Sequence, residues 1–236
     1  MPFKLLIIIP SYNEQASLPA LLAEVKALRL PAAFSMDIAV VNDCSKDATV
    51  SVARKHIDIV LDLPVNLGIG GAMQTGYRYA FINGYDLAVQ MDGDGQHPPA
   101  ELQKLLEHWQ ATQANLIIGS RFIVKQGFQS SALRRTGIGY LHWLNKLFTG
   151  IHVYDSTSGF RLFDKKAIAI ASENYPDEYP EPESIIIFAK AGLKIEEVAV
   201  VMKERQGGQS SIRQFSQVYY MVKVTIAMFF SFIRKK

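Results

Sequence analysis

The chain has 236 residues, 49% hydrophobic and 20% charged, which supplies a packed core and excludes wholesale disorder. Its 16 glycines and 10 prolines exclude collagen-like and low-complexity classes. A single cysteine, Cys44, excludes an internal disulfide framework or a cysteine-rich zinc cage and suits a reducing compartment, and a net charge of +3 gives no argument for nucleic acid.

The N-terminal apolar run at 5–9 stops at Pro-Ser-Tyr-Asn-Glu. A secretory segment needs about 7–15 apolar residues followed by a small-residue cleavage site, so this run reads as a buried first strand. Further near-continuous apolar runs at 37–41, 57–61, 86–91 and 115–119 predict strands covered on both faces. Helical patterns at 17–29, 47–55, 70–82 and 99–112 fill the gaps, with Ser17, Ser45 and Asp47 as N-cap types. This alternation predicts an α/β, Rossmann-like fold with a mostly parallel sheet flanked by helices.

The second half is less regular. It predicts an amphipathic helix at 130–149 carrying Arg134 and Arg135, a short strand at 160–163, a helix at 183–191 and a strand at 194–201. No linker or internal repeat interrupts the chain, so one domain is expected over 1–213, followed by an appendage over 214–236. From Val218 to Ile233 that appendage is apolar except for Lys223 and small hydroxyls, and it closes on Arg234, Lys235 and Lys236. A spanning helix needs roughly 20 apolar residues, so the expectation is an amphipathic helix lying flat on a membrane, with its aromatics in the interface and its cations on headgroups. The plainer alternative is a terminal helix packed on the domain or on a partner.

In an open parallel sheet, ligands bind beyond the carboxyl ends of the strands. Each predicted strand is followed there by polar or flexible residues: Pro10-Ser11-Tyr12-Asn13-Glu14, Asn42-Asp43-Cys44-Ser45, Asn66-Leu67-Gly68, Asp92-Gly93-Asp94 and Gly119-Ser120-Arg121. In the fourth of these, two carboxylates separated by one glycine suit a hard cation such as magnesium or manganese, and Gln96 offers a further neutral oxygen. The plainer reading is a solvated Asp-Gly turn, and His97 reads as a turn residue. The glycines at 68, 70 and 71 open a predicted helix, where amides could meet a phosphate or the chain could simply pack tightly. They fit neither a P-loop nor a dinucleotide fingerprint, because position 73 is Met.

Taken together, Pro10-x-Tyr12-Asn13-Glu14, Val41-Asn42-Asp43-x-Ser45, Asn66-x-Gly68, Asp92-x-Asp94-x-Gln96-His97-Pro98, Gly119-Ser120-Arg121 and Thr157-Ser158-Gly159-Phe160-Arg161 resemble an inverting family 2 glycosyltransferase. The nearest subgroup is the dolichyl- or polyprenyl-phosphate sugar transferases, and the resemblance runs from about residue 4 to 213. It implies a GT-A-type fold, a nucleotide-sugar donor, and magnesium or manganese as cofactor. By matched position it implies that Pro10, Tyr12, Glu14, Val41 and Asp43 hold the donor nucleoside. Asp92, Asp94 and Gln96 would hold the metal, with Gly93 beside the donor. Arg121 and Arg205 would contact phosphates. Where the subgroup carries a lysine six residues after that second arginine, this chain has Ser211, with Arg213 close by.

On the acceptor side, the expected contacts are Arg134, Arg135 and Ser158, against the alternative of a solvated helix face for the two arginines. A phosphate acceptor is already anionic and needs no strong base, whereas a sugar hydroxyl needs a carboxylate. Asp155, Glu181 and Glu183 are the candidates for that role, although acidic residues opening a helix also serve its dipole.

The reading is therefore a metal-dependent enzyme of cell-envelope glycan synthesis, placed on the cytoplasmic face of the membrane. Its acceptor would be a polyprenyl phosphate or lipid-linked saccharide. A small integral membrane partner and a homo-oligomer are both compatible with this arrangement. The alternatives are a non-catalytic nucleotide-sugar-binding subunit of a membrane complex, which the intact Asp92/Asp94 pair and Arg205 argue against, and a sugar nucleotidyltransferase. The latter would want a basic Gly-rich loop after the first strand, which Pro10-Ser11-Tyr12-Asn13-Glu14 is not.

Overall fold

A computed structural model describes residues 1–93, 95–124, 132–203 and 216–234, without the side chains of 132–135 and 216–218. The first half alternates as β1 (Phe3–Ser11), α1 (Leu18–Lys26), β2 (Phe34–Asn42), α2 (Thr49–His56), β3 (Ile59–Asp62), α3 (Gly68–Ile82) and β4 (Leu87–Gln90). A 3-10 turn at Pro99–Glu101 leads into α4 (Leu102–Thr112), then β5 (Leu116–Ser120) and α5 (Ala132–Thr149). After these come β6 (Arg161–Asp164), α6 (Lys165–Glu173), α7 (Pro180–Lys190), β7 (Ile195–Ala199) and α8 (Ser216–Ile233).

Among the described residues, seven strands form one sheet in the order β3-β2-β1-β4-β6-β5-β7. β6 runs antiparallel to both its neighbours, and the other pairings are parallel. The period-2 alternation of β1 divides its fully buried run between the two faces. Leu5, Ile7 and Ile9 join the residues of α1, α2 and α4, whereas Leu6 and Ile8 join those of α3, α6 and α7. Each such side chain contributes about 1.5–3 kcal/mol of burial, and the two apolar layers hold the strand ends in fixed register.

The patterning of the sequence anticipates this architecture, with two differences. Helix α6 was not expected, since its Ile-Ala-Ile-Ala repeat carries no clear period; the Asp164 side chain nucleates it by accepting from the Ala167 amide at 2.9 Å. The direction of β6 also lay outside the reading.

Helix α8 packs on the domain along one side, the plainer alternative for the C-terminal segment. Val224 and Met228 are fully buried with Leu141 and Leu144 of α5 and Ile186 of α7. Lys190 Nζ donates to the carbonyls of Ser231 and Phe232 at 3.0 and 2.8 Å, and also to that of Arg234, capping the helix end. Lys223, the one cation inside the apolar segment, pairs with Glu178 at 3.1 Å. The opposite side of the helix is apolar and exposed, with Tyr219, Val222, Ile226, Phe229, Phe230 and Ile233. It continues onto Tyr140, Trp143 and Leu147 of α5, where Tyr140 Oη lies 3.1 Å from Thr225 Oγ1. Among the described residues, no helix is long and apolar enough to cross a membrane.

Candidate active site

Sheet order locates the site. From β1 the chain steps to β2 on one side, while β4 pairs on the other, so the loops after β1 and β4 diverge and leave a crevice at this switch point. The loop after β4 begins there. Met91 N donates to Ile8 O at 3.0 Å, and a Cβ on Gly93 would stand 3.1 Å from Pro10 O and 3.3 Å from Ser11 Oγ. Because β6 is antiparallel, its first residue pairs with the last of β4 (Gln90 with Arg161), which brings the loop 155–160 to the same edge.

Asp92 lies half-buried in this crevice. Its main-chain N–H donates to His97 Nδ1 at 3.1 Å, and the His97 ring stacks on Phe160 with its Nε2 3.7 Å from Asp92 Oδ2. His97 is thus a buried support of the acidic loop rather than an ordinary turn residue. Gln90 Nε2 donates to Asp92 Oδ1 at 3.3 Å and to Glu181 Oε1 at 3.5 Å, so two carboxylates share one amide. Burial pushes the Glu181 carboxyl above the ordinary glutamate range; Arg161 opposes the rise and Asp92 adds to it.

At the end of β5, Arg121 is 6% exposed and meets a fully buried Asp155. Arg121 Nε and Nη2 donate to Asp155 Oδ2 and Oδ1 at 2.7 Å each, Arg121 N donates to Oδ2 at 3.1 Å, and Nη2 also donates to Thr157 Oγ1 at 3.1 Å. Burial alone would lower the arginine pKa, but the bond to Asp155 outweighs it and the guanidinium is held charged. Beneath the loop, Arg161 is fully buried and donates to Ser158 O, Ser156 O and Ser184 Oγ at 2.7–2.9 Å.

The β1 and β2 loops are stitched together. Asn13 N donates to Ser45 Oγ, and Glu14 N to Thr49 Oγ1, both at 2.9 Å. Asp43 receives the amides of Leu67 and Gly68 at 2.6 and 2.9 Å, so it clamps the start of α3 at the same edge. The glycines that follow serve packing: a Cβ on Gly70 would overlap Pro176 O at 2.0 Å, and one on Gly76 would lie 2.4 Å from Ile8.

Of the sequence-predicted residues, Pro10, Tyr12, Glu14, Asp43, Asp92, Gly93, Gln96, Arg121, Asp155 and Ser158 all belong to strand ends and loops at this one edge. Val41 lies inside the core, and the structure shows no side-chain surface there for a ligand. Glu183 points elsewhere, accepting from Ser231 Oγ of α8 at 2.5 Å. Its neighbour Glu181 takes the place beside Asp92. Asp155 is engaged by Arg121 rather than open to a substrate. Asp94, Arg134, Arg135, Arg205, Ser211 and Arg213 lie outside the described residues or side chains. Sequence reasoning missed Gln90 and His97 as supports of Asp92. A lone glutamine inside the apolar run 86–91 was the one available signal.

Among the described residues, no group of three His, Cys, Asp or Glu side chains forms a metal cage. Asp92 nonetheless suits a hard cation. A Cβ on Gly159 would lie 3.1 Å from both its oxygens, so the missing methyl leaves them a cradle lined by bare backbone. Magnesium in particular is held by one or two carboxylates with phosphates and water completing its shell.

The open sheet with one reversed strand, and a carboxylate at its switch point opposite a buried arginine, define a glycosyltransferase domain of GT-A type. Residues 6–169 match the family model described as Glycosyl transferase family 2, and the chain belongs to that family. The undecaprenyl-phosphate mannosyltransferase of Micrococcus luteus is 31% identical over 221 residues, covering 89% of this chain and 87% of that protein. The polyprenol monophosphomannose synthase of Mycolicibacterium smegmatis is 29% identical over 220 residues, covering 88% and 80%. In fold, mannosyl-3-phosphoglycerate synthase from Rubrobacter xylanophilus superposes with a TM-score of 0.72 at 20% identity, covering 97% of this chain and 74% of that one. Glucosyl-3-phosphoglycerate synthase from Mycobacterium tuberculosis, solved with Mn2+, uridine diphosphate and glucosyl-3-phosphoglycerate, gives 0.68 at 18% identity, covering 98% and 80%.

Proposed function

We propose that this chain is an inverting, metal-dependent transferase that takes its sugar from a nucleotide-sugar donor and passes it to a polyprenyl phosphate or lipid-linked saccharide. Its setting is cell-envelope glycan synthesis at the inner face of the membrane. The observation that carries this reading is the placement of Asp92 after β4 and Arg121 after β5 at the same sheet edge, close enough that the Asp92 charge helps to hold the guanidinium charged. The polyprenyl-phosphate transferases among the relatives support the acceptor class. The manganese and uridine diphosphate bound by a protein of the same fold support the donor class.

Asp92, with Asp94 and Gln96, would hold magnesium or manganese, which when bound neutralises the donor diphosphate. Arg121, kept charged by Asp155, offsets the negative charge that builds on the leaving group. His97 and Gln90 fix the Asp92 loop, and the β1 and β2 loops form the nucleoside wall. The acceptor oxygen attacks the anomeric carbon from the face opposite the departing diphosphate, and a phosphate oxygen needs no base for this. A second reading, transfer to a sugar hydroxyl, is favoured by one observation: Glu181 stands beside Asp92, sharing the Gln90 amide with it, as a carboxylate available for a base. The apolar face of α8 and α5, ending on Arg234, supports peripheral attachment where a lipid-linked acceptor would be met.

The test is a screen of UDP-, GDP- and dTDP-sugars with purified protein and Mn2+ or Mg2+. Undecaprenyl phosphate and a lipid-linked saccharide serve as acceptors. Solvent-extractable labelled lipid is expected. Nucleoside diphosphate binding with no transfer from any donor would favour the non-catalytic subunit instead.

A further inference from the structure

The loop that carries Asp155 has no regular secondary structure between α5 and β6, yet it must present that carboxylate to Arg121 in bidentate register. Arg161 holds its later carbonyls from beneath, and the amides at Tyr154 and Asp155 are held from the far strand. Glu197 of β7 accepts the main-chain N–H of Tyr154 at 2.7 Å on Oε2 and that of Asp155 at 2.8 Å on Oε1. β7 pairs with β5 so that Glu197 is in register with Ile118, three residues before Arg121. The sheet therefore fixes both ends of the chain of contacts, Glu197 at one end and Arg121 at the other, with the loop clamped between. Burial pushes the Glu197 carboxyl up, and the two amides oppose that rise.

We propose that Glu197 is a positioning residue for Arg121: by gripping two consecutive amides it sets the Asp155 carboxylate that orients the guanidinium at the donor site. This rests on the reading of Arg121 as the group facing the leaving phosphate. A carboxylate is needed because its two oxygens accept two amides at once. A glutamine there accepts one and turns an N–H toward the other.

The test compares wild type with Glu197→Gln in the full chain. The Nε–H of Arg121, followed by NMR without any ligand, should exchange at least tenfold faster in the variant. Transfer from the active donor of the UDP-, GDP- and dTDP-sugar panel to undecaprenyl phosphate should lose at least tenfold in kcat, with donor KM within about threefold, as expected when orientation rather than binding is lost. In an Arg121→Ala background, Glu197→Gln should cost less than twofold more. A folded Glu197→Gln protein with wild-type Arg121 exchange, or losses that multiply across the two sites, would overturn the proposal. If Glu197→Gln does not fold, Glu197→Asp, which keeps the charge but shortens the reach, is measured the same way with the same expected direction. If the wild type transfers no sugar, the proposed activity fails, and the Arg121 exchange rates still decide the positioning role.

Discussion

Gly159 stands directly against the carboxylate of Asp92: a methyl group on its Cα would lie 3.1 Å from both carboxylate oxygens and 2.8 Å from Gln90 Nε2. The loop before β6 therefore meets Asp92 and Gln90 where a side chain is absent. Gly159→Ala should displace Asp92 or Gln90 at an overpacking cost of about 1–3 kcal/mol, and should lower transfer at least tenfold. Melting temperature and kcat/KM measured on the same preparation check this; unchanged kcat/KM would mean that the crevice tolerates the methyl.

Loss of the cation should silence the enzyme without unfolding it. Asp92→Asn and Asp94→Ala should each abolish transfer while the metal-free protein melts within a few degrees of wild type, because Asp92 is half-exposed and helps to raise the pKa of its neighbour Glu181. Full activity in EDTA, or in either variant, would remove both residues from metal binding.

Asp43 has a structural part as well as its expected part in donor binding. Asp43→Ala strands the amides of Leu67 and Gly68 and should cost about 2 kcal/mol of stability, alongside weaker nucleoside diphosphate binding by calorimetry. A melting curve like that of wild type would show that the clamp is dispensable.

Glu181 should leave a pH signature on stability. Its folded pKa is raised, so the native state binds the proton more tightly than the unfolded chain. That contribution to stability is fully present below the unfolded glutamate value and is lost as pH rises through the folded value. Glu181→Gln should therefore be more stable than wild type near neutrality, and this advantage should shrink toward zero in acid. Urea denaturation from pH 4 to 8 measures the difference, and a gap that widens in acid would contradict the assignment.

The exposed face of α5 and α8 should bind lipid without contributing to the fold. Trp143 and Phe230 are 54% and 60% exposed, so Trp143→Ser with Phe230→Ser should change stability by less than about 1 kcal/mol. The double variant should lose flotation with anionic vesicles while keeping nucleotide binding. Retained flotation would move the attachment elsewhere. Deleting α8 outright is a poorer experiment, since Val224 and Met228 cover Leu141, Leu144 and Ile186.

The sequence by itself determined the layered architecture and most of the polar residues that gather at the sheet edge. Apolar runs such as Leu5–Ile9 can only be buried on both faces, and polar residues that follow such strands must gather at one sheet edge. Asp92, Arg121 and Asp43 were legible for that reason. What the tertiary structure decided were relationships between side chains from distant segments, which no periodicity encodes. The reversal of β6 puts Gly159 against Asp92. The turn opening α7 selects Glu181 for the crevice and sends Glu183 to Ser231, although the two are separated by one proline. The register of β7 on β5 aims Glu197 at the Asp155 loop. Strand formation is dictated by local apolar pattern, but the partner of a buried carboxylate is fixed only when packing of the whole sheet brings donors to it.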